Sequence, residues 1–262
     1  MKRFTPTLIA IAMSATLAAC QSTESTQQTS TITVVEQPVT VVKSQSDQRD
    51  YRYITLENGL KALLISDPKT DKSAAAMDVS VGAYHAPKDR EGLLHFLEHM
   101  LFLGTEKYPV AGQYSEYLKK NGGSSNAYTS LENTNYFFDV KNDAYDEALD
   151  RFAQFFIAPT MDPKFVEREK NAVDSEYSLK IKDEFRRIRE ASRQAVNPDH
   201  PQRLFSVGNL DTLADRGDNK VYDDLIKAYK RHYSAHRMAL VVLSNQSLEE
   251  LEASVKAKFS AV

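Results

Sequence analysis

The chain has 262 residues, a formal net charge of −3 and a single cysteine. Because acidic and basic residues nearly balance, the sequence lacks the strong positive charge that nucleic-acid-binding proteins use, and we expect no nucleic acid among its partners. One cysteine also excludes a disulfide within the chain. The length suffices for one sizeable hydrophobic core.

The first 20 residues predict export and lipid anchoring. Lys2 and Arg3 precede an apolar run at residues 8–19, which is too short to span a membrane as a mature helix. The run ends in Leu-Ala-Ala before Cys20, and small residues before a cysteine resemble the signal of a bacterial lipoprotein. We therefore predict a signal peptide at residues 1–19 and a lipid on Cys20. An ordinary secretory signal with an incidental cysteine is the alternative.

Residues 20–50 are predicted to be a tether between this lipid and the folded domain. The segment is rich in Ser, Thr and Gln and has few large apolar side chains, so it cannot bury enough surface to fold alone. The resemblance to lipoproteins implies a membrane anchor facing the periplasm of a Gram-negative bacterium. Gln21, in place of an aspartate, favours the outer membrane over the inner one.

Residues 51–262 are predicted to form one domain, in which strands alternate with helices. Asn58-Gly59 is typical of a hairpin turn between the first two strands. This order indicates an α+β fold, with a largely antiparallel sheet and helices packed on one face. The predicted strands are residues 51–56, 60–65, 74–84, 124–130, 135–141 and 238–244, and the predicted helices are residues 91–103, 113–120, 143–157, 163–196, 218–233 and a last one after 247.

Three of the predicted helices have recognisable start signals. Asp143 is a plausible cap for the helix at residues 143–157. Asp162, followed by proline, favours the start of the long helix at residues 163–196. Ser247, with a glutamate three residues later, forms a capping box for the last helix.

A His-x-x-Glu-His motif stands in the apolar helix predicted at residues 91–103. His95 and His99 are four residues apart, so on a helix they lie one turn apart on one face and can bind the same metal ion. Glu98 lies beside both and can reach a water on that ion. The order is the reverse of the commoner His-Glu-x-x-His zinc motif.

The apolar surroundings of the motif strengthen the metal interpretation. A helix this apolar is mostly buried, and three buried titratable groups are costly unless something pairs with them. A bound zinc ion would be that partner. A buried cluster of hydrogen-bonded His and Glu side chains, without metal, is the alternative.

The long helix after Pro163 is the natural source of a third ligand, since a catalytic zinc usually has three protein ligands and one open position. Two stripes of this helix carry acidic residues two turns apart. Glu169 and Glu176 share one stripe, and Glu167 and Asp174 share the other. Spacing alone does not choose between the stripes, and any of these side chains is also compatible with a solvated helix face.

Segments along the whole domain resemble the pitrilysin/insulinase (insulin-degrading enzyme) family of zinc metallopeptidases. Together these segments are highly specific for the family, because they extend far beyond the metal motif. They are GLLHFLEHM at residues 92–100, GTEKYP at 104–109, GGSSNA at 122–127, NAVDSE at 171–176, NP at 197–198 and GNL at 208–210.

This resemblance implies one zinc ion per chain, bound by His95, His99 and Glu176. It implies that Glu98 is the general base and that Glu169 supports the ligands from an outer position. It also implies that the strand carrying Ser125, Asn126 and Ala127 lies at a sheet edge and binds a peptide substrate as an added strand.

The family's enzymes are built from several such domains, which close as two halves around a chamber. The resemblance implies that the half without zinc supplies an arginine and a tyrosine to the substrate, and this sequence carries only the domain with the metal motif. We therefore expect a zinc endopeptidase that is incomplete without a partner half. The alternatives are a non-catalytic, membrane-anchored module that binds zinc or peptide, and a truncated fragment of such a protease.

Two other histidines, His232 and His236, also have i, i+4 spacing. Lys230, Arg231 and Arg237 lie around them and would repel a cation, and no carboxylate is adjacent. We interpret them as the cationic end of a helix rather than as ligands. His200 follows Asn-Pro in a loop and is expected to be structural or exposed.

Overall fold

The computed structural model describes residues 41–262. The predicted signal peptide, Cys20 and most of the predicted tether lie outside the described residues. The strands are β1 Asp50–Thr55, β2 Lys61–Ser66, β3 Lys72–Val79, β4 Ser124–Thr129, β5 Thr134–Lys141 and β6 Met238–Ser244. The helices are α1 Leu93–Leu101, α2 Gln113–Lys120, α3 Tyr145–Ile157, α4 Val166–Lys180, α5 Glu184–Gln194, α6 Val221–His232 and α7 Leu248–Phe259.

The six strands form one sheet in the order β1-β2-β6-β3-β5-β4. Neighbouring strands run antiparallel except β2 and β6, which are parallel. The predicted α+β class with a largely antiparallel sheet is therefore confirmed. β4 is an edge strand, because within the described residues it pairs only with β5.

One face of the sheet carries the hydrophobic core. In β5, Tyr136 and Phe138 are buried while Phe137 between them is exposed, because successive strand residues point to opposite faces. Helix α3 packs on the buried face, where the rings of Phe152 and Phe156 lie 5.2 and 5.5 Å from those of Phe138 and Tyr136. Burying each such ring stabilises the fold by roughly 1.5–3 kcal/mol relative to exposure.

Most start and turn signals in the sequence act as predicted. The Asp162 carboxylate accepts a hydrogen bond of 3.0 Å from the main-chain N–H of Lys164. Ser247 and Glu250 form the reciprocal capping box at the start of α7. Gly59 has φ 87°, a left-handed conformation that glycine adopts at little cost, and it turns the chain from β1 into β2.

The prediction of one long helix at residues 163–196 is wrong. α4 ends at Lys180 and α5 begins at Glu184. Asp183 lies between them in an extended conformation, and its carboxylate accepts a hydrogen bond of 2.9 Å from the main-chain N–H of Arg186. A capping aspartate favours this conformation over a continuous helix, and no glycine or proline marks the break.

Two other predicted boundaries also differ. The strand predicted at residues 74–84 ends at Val79, because the chain then turns into a short 3-10 helix at Ala83–His85. Asp143 lies in a 3-10 turn and does not cap α3, which begins at Tyr145. None of the helices within residues 41–262 is both long and apolar enough to cross a membrane.

Candidate metal centre

Helix α1 carries the His-x-x-Glu-His motif into the middle of the domain. Its apolar side chains, including Leu94 and Leu97, are buried, so the helix is fixed along most of its length. The helix begins after Gly92, which has φ 85°. A side chain at Gly92 would collide with the main chain at Gly208, so only glycine permits this close approach.

The helix places the two histidine rings side by side, with ring centroids 4.8 Å apart. Glu176 reaches them from α4. Its carboxylate oxygens lie 3.5 Å from His95 Nε2 and 3.7 Å from His99 Nε2. The predicted ligands are therefore together, and they are the only group of three or more potential metal ligands among the described residues.

These separations fit a zinc ion. Ligand atoms at 2.0–2.1 Å from a tetrahedral zinc lie roughly 3.3 Å apart, close to the observed nitrogen–oxygen distances. The two-histidine, one-carboxylate donor set is one that catalytic zinc sites use. The Glu176 side chain is 46% exposed, whereas the histidines are largely buried, so the open side of the centre faces solvent.

Both histidines are oriented through their other ring nitrogen. His95 Nδ1 donates a hydrogen bond of 2.7 Å to the main-chain carbonyl of Val207. His99 Nδ1 lies 3.5 Å from a carboxylate oxygen of Glu169. In both rings Nε2 therefore faces Glu176. Metal-binding histidines are commonly held in this way, by a carbonyl or a carboxylate at the ring nitrogen that does not face the metal.

Glu169 therefore lies behind His99 and outside the group formed by His95, His99 and Glu176. Its contact with His99 holds the pKa of the Glu169 carboxyl below the usual value, although burial acts in the opposite direction. Arg168 adds an ion pair of 2.8 Å to the same carboxylate. The side chain is thus anionic and well placed to stabilise positive charge at His99.

Glu167 and Asp174, the acidic residues of the other stripe of α4, bind partners away from the two histidines. Glu167 pairs with Lys170 at 3.0 Å, and its side chain is 74% exposed. Asp174 accepts a hydrogen bond of 3.1 Å from the main-chain N–H of Leu210. Of the acidic residues on the two stripes, the structure places Glu176, and not Glu167 or Asp174, next to both histidines.

Glu98 is buried beside the centre, with 7% of its surface exposed. Burial raises the pKa of its carboxyl to about 7 in the metal-free protein, and a hydrogen bond from Thr129 acts in the opposite direction. The Thr129 hydroxyl donates this bond to Glu98 Oε2 over 2.5 Å. A carboxyl group with a pKa near neutrality can both accept and return a proton at physiological pH.

Edge strand β4 runs past the centre and contacts α1. The side chains of Ser125, Ala127 and Thr129 are partly buried, and those of Ser124 and Asn126 are exposed. The Ala127 N–H donates a hydrogen bond of 2.9 Å to the Asn126 side chain. The segment with Ser125, Asn126 and Ala127 therefore lies at a sheet edge, where the family resemblance placed it.

The sequence did not identify two contacts of the site, those of Val207 and Thr129. Val207 acts through its main chain, which carries no residue-specific signal. Gly208 beside it has φ 85° and contacts Gly92. The family resemblance includes residues 208–210 but implies no role for them. The strand pattern could have pointed to Thr129. Residues two apart on a strand lie on the same face, so Thr129 shares a face with Ala127.

Three of the remaining histidines serve the fold. His232 is buried, and burial together with His85 and nearby arginines lowers its pKa to about 4. His232 is therefore neutral at physiological pH, and the interpretation of this residue as cationic is wrong. Its ring contacts that of His85 edge-on, with centroids 5.4 Å apart. His200 Nδ1 accepts a hydrogen bond of 3.1 Å from the main-chain N–H of Gln202 and caps a 3-10 turn. None of the three joins the metal centre.

The fold and the centre together define an α+β domain of the inverted His-x-x-Glu-His type. The chain belongs to the insulinase family (peptidase family M16), whose model matches residues 61–199. A second model, described as the peptidase M16 inactive domain, matches residues 220–262. The membership predicted from the sequence segments is confirmed.

The chain is similar to much longer relatives. It is 50% identical to the peroxisomal insulin-degrading enzyme-like 1 of Arabidopsis thaliana over 86% of this chain and 23% of that protein. It is 46% identical to the insulin-degrading enzyme of Homo sapiens, over 85% of this chain and 22% of that protein. The crystal structure of pitrilysin matches with a TM-score of 0.84 and 41% identity, over 86% of this chain and 24% of that one. The chain thus spans about a quarter of the length of these relatives.

Proposed function

We propose that this chain is the metal-binding domain of a zinc endopeptidase that hydrolyses peptide bonds with water. The observation that supports this most strongly is the position of the Glu98 carboxyl beside His95, His99 and Glu176. A base next to an open metal centre is the arrangement of a metallopeptidase, and a purely structural zinc site would need no such base. One zinc ion per chain is held by these three ligands.

When bound, the ion supplies Lewis-acid polarisation of the substrate carbonyl and makes a nearby water more acidic. Glu98 accepts a proton from that water and later returns it to the amine that leaves. The position of Glu98, buried beside the three proposed ligands, suits this double role. Glu169 holds the His99 ring in place while charge changes at the centre, since its carboxylate lies 3.5 Å from His99 Nδ1.

The peptide binds along the free edge of β4. An extended peptide that joins a sheet edge gains main-chain hydrogen bonds and is aligned with the strand. Ser125, Asn126 and Ala127 are the contact residues of this proposal. The Asn126 side chain, which now accepts from the Ala127 N–H, must release that donor for an incoming peptide carbonyl.

Further polypeptide completes the peptidase, either on the same chain or as a partner. The relatives are about four times longer than the aligned segment, which supports this proposal. Helix α5, directly after the ligand-bearing α4, supports it also. Phe185 and Ile188 on α5 are 74% and 64% exposed, and apolar side chains this exposed are typical of surfaces that another segment covers.

For the N-terminus we propose that Cys20 carries lipid and anchors the domain at a membrane facing the periplasm, the outer membrane more than the inner. The Leu-Ala-Ala-Cys sequence after a basic start supports this proposal. Stable anchoring needs more than one acyl chain, which lipoprotein processing provides. A non-catalytic, membrane-anchored module that binds peptide is the second candidate function, and the exposed sheet edge and the anchor motif are compatible with it.

Cleavage of a quenched fluorescent peptide by the zinc-loaded protein distinguishes the two candidates. We expect weak but zinc-dependent cleavage that is lost in Glu98→Gln, with the zinc content of the variant unchanged. Glu116→Gln, at an exposed acidic residue on α2 that is not part of the group of three proposed ligands, is the matched control and should cleave like the wild type. Cleavage by Glu98→Gln at the wild-type rate would refute the assignment of the base. No zinc-dependent cleavage, even with added partner polypeptide, would favour the binding module.

A further inference from the structure

The carboxylate of Glu98 has one protein hydrogen-bond partner within the described residues, the hydroxyl of Thr129. The bond joins Thr129 Oγ1 to Glu98 Oε2 over 2.5 Å. The second carboxylate oxygen has no protein donor in the same part of the structure. Since a buried carboxylate with one fixed oxygen has little freedom to rotate, this contact decides where the other oxygen lies.

Thr129 is itself held firmly. It is the last residue of β4, and the turn that follows is closed by a hydrogen bond of 2.7 Å from Ser130 N–H to the Asn133 carbonyl. The Ser130 carbonyl accepts a further bond of 2.9 Å from Ala83 N–H. Gly82 permits this contact, because a side chain there would collide with the turn. The hydroxyl therefore approaches Glu98 from a fixed main chain.

The type of side chain adds to this rigidity. Threonine is branched at Cβ, so its χ1 angle has few accessible values. Thr129 also lies on the partly buried face of β4 that carries Ala127. A serine at this position would keep the donor but lose part of the restriction, and a valine would keep the shape but lose the donor.

We propose that Thr129 is a positioning residue for the general base. Its hydroxyl fixes one oxygen of Glu98 and thereby presents the other oxygen to the water at the metal centre. This inference rests on the proposed function, in which Glu98 is the base. The same strand, β4, would then have two roles. Its free edge binds the peptide, and Thr129 at its end orients the base.

The size of the effect follows from the type of bond. A hydrogen bond to a charged group is worth about 1.5–3 kcal/mol, which corresponds to roughly a 10- to 150-fold change in an equilibrium or a rate. The loss should appear in kcat and leave KM nearly unchanged, since Thr129→Val keeps the main chain of β4 and hence the peptide edge.

Binding of a peptide hydroxamate to the zinc-loaded protein tests the inference without turnover. The hydroxamate ligates zinc and donates a hydrogen bond to the base, so its affinity reports where the Glu98 oxygen lies. We expect Thr129→Val to weaken binding about tenfold or more, and Thr129→Ser to recover most of that loss. Thr70→Val also removes a hydroxyl hydrogen bond, here at the start of β3 and at the opposite end of the sheet from Thr129, and it should bind like the wild type.

A double-mutant cycle with Glu98→Gln separates positioning from general damage. If Thr129 acts through Glu98, Thr129→Val adds little further loss in the Glu98→Gln background, while zinc content and melting temperature stay near the wild-type values. Unchanged hydroxamate affinity in Thr129→Val, or fully additive losses, would overturn the inference and leave the proposed function intact. If Glu98→Gln itself neither weakens hydroxamate binding nor slows cleavage, the proposed function fails instead.

Discussion

The main-chain carbonyl of Val207 accepts a hydrogen bond of 2.7 Å from Nδ1 of His95, across 112 residues of sequence. The bond fixes the ring so that Nε2 faces Glu176 and His99. It exists because Gly208, next to Val207, contacts Gly92 at the start of the motif helix. His95, the first of the three predicted ligands, is thus oriented by a loop that carries none of them.

This contact predicts that Gly92→Ala impairs both stability and metal binding. The residue has φ 85°, which costs alanine about 1–2 kcal/mol, and its Cβ would also displace the loop at Gly208. Gly112→Ala is a matched control, since Gly112 has φ 86° and open space around the position of a Cβ. Urea unfolding and zinc titration of both variants measure the difference. Equal zinc affinity in the two variants would show that the loop does not orient His95.

Glu169→Gln is predicted to weaken zinc binding without abolishing it. The substitution removes the negative charge near His99 Nδ1, and changes in such supporting groups typically cost about 10- to 100-fold in metal affinity. Competition with a chromogenic chelator gives the zinc dissociation constant. Glu167→Gln, on the exposed face of the same helix, should match the wild type. A loss of all zinc in Glu169→Gln would make Glu169 a direct ligand.

The buried Glu98 carboxyl predicts a specific dependence of stability on pH in the metal-free protein. The pKa of this carboxyl is about 7 in the folded protein, and its ordinary value, which applies to the unfolded chain, is 4.5. The folded protein therefore binds the proton more tightly than the unfolded chain. The free energy of unfolding therefore falls as pH rises from about 4.5 to about 7, by up to about 3 kcal/mol from this group. Glu98→Gln removes this contribution and should gain relative stability at high pH. Urea unfolding of both proteins at pH 5 and pH 8 checks this, and parallel pH profiles would contradict it.

Cys20→Ala is predicted to release the protein from membranes. Without the thiol no lipid can be attached, and the described residues contain no helix able to span a membrane. Fractionation of cells that express the wild type and the variant measures the shift from the membrane pellet to the soluble fraction. A wild-type protein that is already soluble would refute the lipid anchor.

The sequence predicted the parts of the site that follow helical spacing. His95, Glu98 and His99 lie within one turn and a half of α1, so their proximity required only the helix itself. Glu176 was harder, because spacing equally allowed the stripe with Glu167 and Asp174. The resemblance to the family chose the stripe, and the structure explains the choice, since the other two carboxylates are engaged elsewhere.

The parts that the sequence did not predict depend on contacts distant along the chain or on competing local bonds. Val207 lies in a loop and Thr129 in an edge strand. Neither segment has the residue spacing that is typical of metal ligands, so nothing in the sequence links them to α1. The break between α4 and α5 depends on Asp183, whose capping bond to the Arg186 N–H outweighed a continuous helix. Strand β6 was predicted with the observed bounds, because residues 238–243 are a short, uninterrupted apolar run of strand length that contains two valines.

Metal analysis of purified wild-type and Glu176→Gln protein tests the central claim most directly. We predict close to one zinc per wild-type chain and loss of most of it in Glu176→Gln, since the substitution removes the carboxylate that lies near both histidines. Glu167→Gln should retain the wild-type zinc content. That result would show that the loss of a negative charge on α4 is not by itself enough to release zinc. Full zinc occupancy in Glu176→Gln would contradict the account and place the third ligand elsewhere.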